Sequence, residues 1–381
     1  MHLIDLSHTS HTLARTGIQR VARSLRRELA NNVEPITWDP HAGRWRTLAQ
    51  WEQENLQDDT PGRSRGARWP FTAKLQGRVS RWLPSPPPIT ADGGLIVPEV
   101  FSPEVAAAFP RLAVGKPRIA LFHDAIALKL PELTPPGTVA RFPAYLQELL
   151  SFDGIAAVSE DSRDTLLAYW SWLGVRQPPP VECIPLGVDP CDPLLPPADH
   201  AAGPTILCVG TIEGRKNHLA LLDACETLWS QGHRFTLQLI GMTHAHTGAS
   251  ALRKIHELQA KGRPVRSDGA VSDAALHSAY AECAFTVYPS LMEGFGLPVL
   301  ESLQRGRPCI CSSQGALGES ARPGGALMVA EPTSAALADA ISSLLQDPPA
   351  RDQLASVARS RTYRSGSDYT TDLLAWMATL G

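Results

Sequence analysis

Glu293 and Glu301 stand eight positions apart, with Gly294-Phe295-Gly296-Leu297-Pro298 between them. An ionised carboxylate only accepts hydrogen bonds, so either acid suits the hydroxyls of a sugar. The two glycines let a ligand approach the backbone, and Pro298 fits the opening turn of a helix. Free N–H groups at such an opening favour an anion. Glu301, just inside the helix, is the candidate to take both hydroxyls of a ribose. Glu293, before the turn, faces whatever is attached to the phosphate. Two acids at this spacing are ordinarily solvated. Here the apolar strand from Ala284 to Tyr288 leads into them, and the set reads as a sugar-nucleotide site.

A second constellation is Gly210-Thr211-Ile-Glu213-Gly-Arg215-Lys216-Asn217-His218, which follows the apolar run Thr205 to Val209. Ligands of open α/β sheets bind at the carboxyl ends of strands, which is where this loop falls. Arg215 can fork onto phosphate oxygens, and Lys216 adds a point charge. Neutralising a diphosphate matters because it becomes the leaving group when the bond to a sugar breaks. Two shorter signals lie in the first half. Thr16-Gly17-Ile-Gln-Arg20 precedes an amphipathic helix, and its glycine would expose backbone N–H groups to a phosphate. His123-Asp124 ends the apolar run Ile119 to Phe122, where the imidazole could donate to a sugar hydroxyl or stabilise charge.

Elements that could hold these residues are legible. Apolar runs at His2 to Leu6, Gly94 to Val97, Arg118 to Phe122 and Gly154 to Val158 alternate with helix-like segments. The second half repeats the alternation with Thr205 to Val209, Phe235 to Ile240, the strand into Glu293, and Arg307 to Cys311. That order predicts α/β architecture with parallel sheets covered on both faces. Asn217 is the expected N-cap of a helix carrying Leu221, Cys225 and Leu228 on one face, closed by Gly232. Ser159 or Ser162 caps the helix after Val158. Prolines from Asp189 to Pro197 read as a stiff linker, which sets domains of 1–195 and 196–365.

Composition narrows the classes. A chain of 381 residues is too long for one compact core. Its 43% apolar and 19% charged residues are those of a globular protein, and a formal charge of −3 argues against nucleic acid as partner. No uninterrupted apolar run approaches the roughly 18 residues of a membrane span, and no secretory leader opens the chain, so a cytoplasmic location is expected. Seven cysteines without C-x-x-C spacing read as small buried hydrophobes. The histidines are scattered, His244 and His246 being the tight pair, so no structural metal is expected.

The Glu293-to-Glu301 segment, the Gly210-to-His218 string and Pro185-Leu-Gly-Val-Asp189 together resemble glycosyltransferase family 4, which comprises retaining, nucleotide-sugar-dependent enzymes. The resemblance covers nearly the whole chain and is strongest from Ile184 to Glu319, with Gly214 standing where proline is common. It implies two doubly wound, Rossmann-like domains facing across a cleft, the B-type glycosyltransferase architecture. The N-terminal domain would bind the acceptor and the C-terminal domain the donor, with a last helix at 366–381 crossing back to the first. It implies no metal and no cofactor beyond the nucleotide-diphosphate sugar. It assigns His123, Glu293, Arg215 and Lys216 to catalysis. Donor binding falls to Gly17, Gly210, Thr211, Arg215, Lys216, Gly294, Phe295, Gly296, Leu297 and Glu301. The Arg-Lys-Asn-His form is familiar among mannosyltransferases, so GDP-mannose is the first donor expected, ahead of UDP-sugars and dTDP-rhamnose. The acceptor would be a surface glycan or a lipid-linked oligosaccharide. A nucleotide-sugar epimerase, a phosphorylase-like enzyme and a non-catalytic nucleotide-sugar-binding protein of the same fold are the alternatives.

One segment stands outside these motifs. From Pro61 to Trp82 the chain holds Arg63, Arg65, Arg68, Lys74, Arg78 and Arg81, no acids, and Trp69, Phe71 and Trp82. Basic residues interleaved with aromatics suit peripheral contact with an anionic membrane or a lipid-diphosphate acceptor, or else arginines packed on the protein surface.

Overall fold

The computed structural model describes residues 1–13, 17–57, 67–84, 87–115, 117–191, 194 and 203–380. They form two compact units. Unit 1 comprises Met1–Asp124, Arg141–Gly187 and Ser365–Gly381, and unit 2 comprises Ala125–Ala140 and Val188–Arg364. The chain thus passes into unit 2 between Gly187 and Val188, ahead of the expected boundary near residue 195, and returns to unit 1 at Ser365. An earlier excursion into unit 2 occurs at 125–140, which no sequence feature announced. Most of the proline-rich stretch, 192–193 and 195–202, lies outside the described residues.

Unit 1 is built on β1 (His2–Asp5), β2 (Val33–Asp39), β3 (Arg44–Thr47), β5 (Leu95–Val97), β7 (Arg118–Phe122), β8 (Gly154–Ala157) and β9 (Val181–Cys183), with a small side pair β4 (Thr90–Ala91) and β6 (Ala113–Val114). The main sheet runs β3-β2-β1-β5-β7-β8-β9 and is parallel except for the antiparallel β2–β3 pair. Helices cover both faces of such a sheet, so its strands are continuous apolar runs rather than alternating ones. Ile4, Ile96, Ile119, Leu121 and Ile155 are all fully buried. The helix Gly366–Thr379 belongs to this unit: Trp376 and Leu380 lie where a Cβ on Gly154 would be, and Gly366 packs on Glu28 and Ser24. It opens on a capping box in which Ser365 and Asp368 satisfy each other's backbone N–H groups.

Unit 2 is built on β10 (Thr205–Val209), β11 (Thr236–Ile240), β12 (Val265–Ser267), β13 (Cys283–Tyr288), β14 (Cys309–Ser312) and β15 (Ala326–Val329). The sheet order is β12-β11-β10-β13-β14-β15, parallel throughout. Ile206, Leu237, Phe285 and Ile310 from four strands meet Leu221, Leu222, Cys225, Leu337 and Ile341 from two helices in the main core. Cys208, Cys225, Cys283, Cys309 and Cys311 are buried thiols as expected, whereas Cys183 and Cys191 are only partly buried. The order of strands fixes where a ligand belongs. After β10 the chain moves outward to β11 and β12, then returns to the other side of β10 for β13. The crevice between the carboxyl ends of β10 and β13 is therefore the topological switch point. By the same reasoning unit 1 has its switch point between β1 and β5.

Candidate functional site

Both sequence constellations of unit 2 open at its switch point. After β10, Gly210 adopts φ +148, a conformation that side chains rarely accept. Thr211 follows in the loop, and Gly214–Lys216 forms one 3-10 turn before the helix His218–Ser230. After β13 the chain crosses to Leu291, whose N–H donates to the Arg215 carbonyl at 2.9 Å. The two loops are thereby joined through their backbones.

Side chains then converge on Glu293. Arg215 Nη1 lies 2.9 Å from Glu293 Oε2, and Lys216 Nζ lies 2.5 Å from Oε1. Arg215 also pairs with Glu213 at 2.8 Å. Lys216 donates to the Tyr288 hydroxyl and lies 4.5 Å from the centroid of that ring. Burial alone would raise the carboxyl pKa of Glu293, but Arg215 and Lys216 outweigh it and hold the group at about 2. Burial pulls the Lys216 pKa below its usual range, against the pull of Glu293. Burial, with Lys216 as neighbour, takes His218 down to about 4, so its ring is neutral at pH 7. The cluster is a largely buried knot of two cations and two acids, in which each charge is paired.

The remaining predicted residues of unit 2 take separate settings. Gly296 caps the helix Leu297–Gln304 with φ +104, and a Cβ there would meet Leu317 Cδ2 at 3.1 Å. Gly294 and Phe295 form the turn that precedes it, and the Phe295 carbonyl accepts from Ser320 Oγ at 2.7 Å. Leu297 is the first helical residue, one earlier than Pro298. Glu301 is buried and accepts from the Tyr280 hydroxyl at 3.4 Å. Asn217 sits at the predicted helix start without capping it. Its backbone is left-handed at φ 57, and its amide donates instead to the Pro332 carbonyl at 2.7 Å. Gly214, in the place where proline is common, leaves room for Leu133, whose Cδ2 would lie 3.0 Å from a Cβ.

Unit 1 holds the other predicted residues. Gly17 opens the helix Gly17–Leu29 into open space, while Thr16 lies outside the described residues. His123 is buried at the end of β7, and its Nε2 meets the Pro98 carbonyl at 2.7 Å. A carbonyl only accepts, so this nitrogen carries the proton. Burial lowers the imidazole pKa, with Asp124 and Glu99 opposing from nearby, so the ring is neutral. Its Nδ1 is then an acceptor, where the sequence suggested a donor. Ser159, not Ser162, caps the following helix, and Ser162 Oγ ties the His123 carbonyl at 3.0 Å.

Sequence reasoning passed over the centre of this unit's switch point. Glu99, buried after β5, accepts from the N–H groups of His8 and Thr9 at 3.2 and 3.1 Å and from the Thr9 hydroxyl. It raises the pKa of His8. Burial, with Glu99 as neighbour, pushes the Asp5 carboxyl up to about 7. The position of Pro98-Glu99 behind the apolar run Leu95–Val97 was the available signal. Tyr288 was passed over too, because it reads as the last residue of a strand. Among the described residues no group of three His, Cys, Asp or Glu side chains could hold a metal ion, and His244 accepts from Thr247 N–H instead.

Parts of the chain are similar to known proteins. Residues 199–361 match the family of glycosyl transferases group 1. The serotype-specific mannosyltransferase WbdA of Escherichia coli is 27% identical over 340 residues, which is 81% of this chain and 38% of that protein. The chain thus spans well under half the length of that relative. The O-antigen chain mannosyltransferase B of Escherichia coli is 31% identical over 250 residues, 64% of each chain. Among solved structures, Anabaena Alr3699/HepE in complex with UDP-glucose superposes with a TM-score of 0.70 at 14% identity, over 99% of both chains. Sucrose-phosphate synthase from Thermosynechococcus elongatus gives 0.69 at 18% identity, over 100% of this chain and 98% of that one. At such identities the likeness is one of fold, the two Rossmann-like domains of B-type glycosyltransferases. Arg215, Lys216 and Glu293, which converge at the switch point of unit 2, all lie within residues 199–361, the region similar to glycosyl transferases group 1.

Proposed function

We propose that the chain is a retaining hexosyltransferase that takes a sugar from a nucleotide-diphosphate donor, with GDP-mannose first, to a surface-glycan or lipid-linked acceptor. The observation that carries this reading is the convergence of Arg215 and Lys216 on Glu293 at the carboxyl ends of β10 and β13. Mannosyltransferase relatives support the choice of sugar. In this reading a donor diphosphate takes over Arg215 and Lys216, which stabilise the charge that grows as the glycosidic bond breaks. Glu293, released from the two cations, becomes free to accept from the sugar hydroxyls. Glu301 accepts from the ribose, and the Gly294–Leu297 turn brings backbone N–H groups to the phosphates. His123 accepts from the transferred sugar through Nδ1. The two cations supply the positive charge, so the reaction as proposed requires no divalent metal. It runs in the cytoplasm, and the departing phosphate aids the acceptor on the same face of the sugar.

Isothermal titration with GDP, UDP and dTDP, followed by turnover of the matching donor sugars, tests the reading. Lys216→Ala and Glu301→Ala are each expected to weaken nucleoside-diphosphate binding at least about tenfold, the loss of one charge-assisted contact, with circular dichroism showing the fold retained. Near-wild-type binding and turnover in both variants would overturn the site. Tight binding without turnover of any donor sugar would leave a binding protein.

A further inference from the structure

The helix Phe71–Ser80 of unit 1 is mounted with its polarity reversed. Its packed position is Gly77, where an added Cβ would lie 2.7 Å from His41 Cβ and 3.2 Å from the Ala42 nitrogen. At 100° per residue, the positions opposite Gly77 are Phe71, Leu75, Val79 and, one turn on, Trp82. A helix on a water-soluble surface points such a stripe inward. Here the four side chains are 79%, 53%, 51% and 90% exposed, and Leu83 beside them is 59% exposed. Five of the twelve large apolar side chains exposed among the described residues fall within these thirteen positions, 71–83. The clustering therefore marks a surface and not scatter.

Charge identifies what the surface meets. Lys74 and Arg78 lie along one edge of the stripe, with Arg68 before it and Arg81 after it, and no acid occurs between Pro61 and Ala91. The chain as a whole carries −3, so this cationic patch stands against the sign of the molecule. Long basic stems can lie along an apolar layer while their charged ends reach anionic headgroups, and an indole ring sits well at that boundary. Ten residues are too few to cross a bilayer, so the helix would lie in the plane of the surface. Its anchorage to unit 1 is firm: Arg81 donates to the Pro40 carbonyl at 2.7 Å, and Trp69 packs edge-on against His41 with ring centroids 4.9 Å apart.

We propose that Phe71, Leu75, Val79, Trp82 and Leu83, with Lys74, Arg78 and Arg81, form a lipid-docking face that seats unit 1 on an anionic bilayer. Arg63 and Arg65 lie outside the described residues and are not needed for it. The proposal stands on different residues from the nucleotide-sugar site and is tested without transfer activity. The full chain is sedimented with vesicles of phosphatidylglycerol and, separately, phosphatidylcholine. It is expected to bind the first at low salt and not the second. Phe71→Ser/Leu75→Ser/Trp82→Ser and, independently, Lys74→Glu/Arg78→Glu are each expected to lower the bound fraction about tenfold. Circular dichroism and melting temperature should be unchanged, because none of these side chains is packed. Absence of binding to phosphatidylglycerol, or wild-type binding by the serine variant, would overturn the proposal. So would concentration-dependent self-association that the serine variant abolishes, since the occupant would then be a second copy of the chain.

Discussion

Single carboxylates in this protein titrate far from their ordinary range, in opposite directions, and their environments say why. Glu293 is held at about 2, against an ordinary 4.5, by the two cations it faces. A lowered folded-state pKa contributes stability that is full above 4.5 and lost as pH falls toward 2. Unit 2 should therefore lose melting temperature through that window, and Glu293→Gln should flatten the loss; thermal melts from pH 6 down to about 2.5 check it. Asp5 behaves inversely. Burial raises it from 3.8 to about 7, so the folded state prefers the protonated acid and loses stability as pH rises through that interval. Asp5→Asn keeps an acceptor for Ser7 and removes the charge. It should raise the melting temperature at pH 8 and leave it unchanged at about pH 3.5. The chemistry of Arg215, Lys216 and Glu293 was legible from residue types alone. That they meet each other was not, because their contact depends on the strand order of a sheet whose neighbours are distant in sequence.

Elements were legible in proportion to their apolar continuity. Thr205–Val209 and Arg118–Phe122 occupy the expected residues, because strands buried on both faces are unbroken hydrophobic runs. The β2–β3 hairpin escaped notice: β2 mixes Glu34, Pro35, Thr37 and Asp39 with its apolar residues. Asn217 shows a subtler miss, a correct helix start reached through a left-handed backbone instead of a side-chain cap. Turn glycines were read as room for a ligand, and Gly296 has a second reason to be glycine. Its φ of +104 and the nearness of Leu317 predict that Gly296→Ala costs about 1–2 kcal/mol. Chemical denaturation should show that loss, and nucleotide binding should weaken with it, because the same residue sets the start of the helix that carries Glu301.

At the scale of the molecule, the chain leaves and re-enters its units in a way that local patterns cannot encode. The excursion 125–140 joins unit 2 where Leu133 packs against Gly214, a contact between residues far apart in sequence. The C-terminal helix is likewise part of unit 1, and Leu373 on it is fully buried. Leu373→Ala should destabilise that unit by about 2–5 kcal/mol, seen as a lowered first transition in differential scanning calorimetry. One further consequence follows from the stitch between Leu291 and Arg215. That main-chain bond fastens the loop of Arg215 and Lys216 to the loop that leads into Glu293. Glu293 therefore meets both cations as an anion tethered to the same backbone. Under the proposed function, a solute bearing two linked phosphates is expected to displace it more readily than chloride, acetate or a lone sulfate, which would make anion selectivity precede recognition of the sugar.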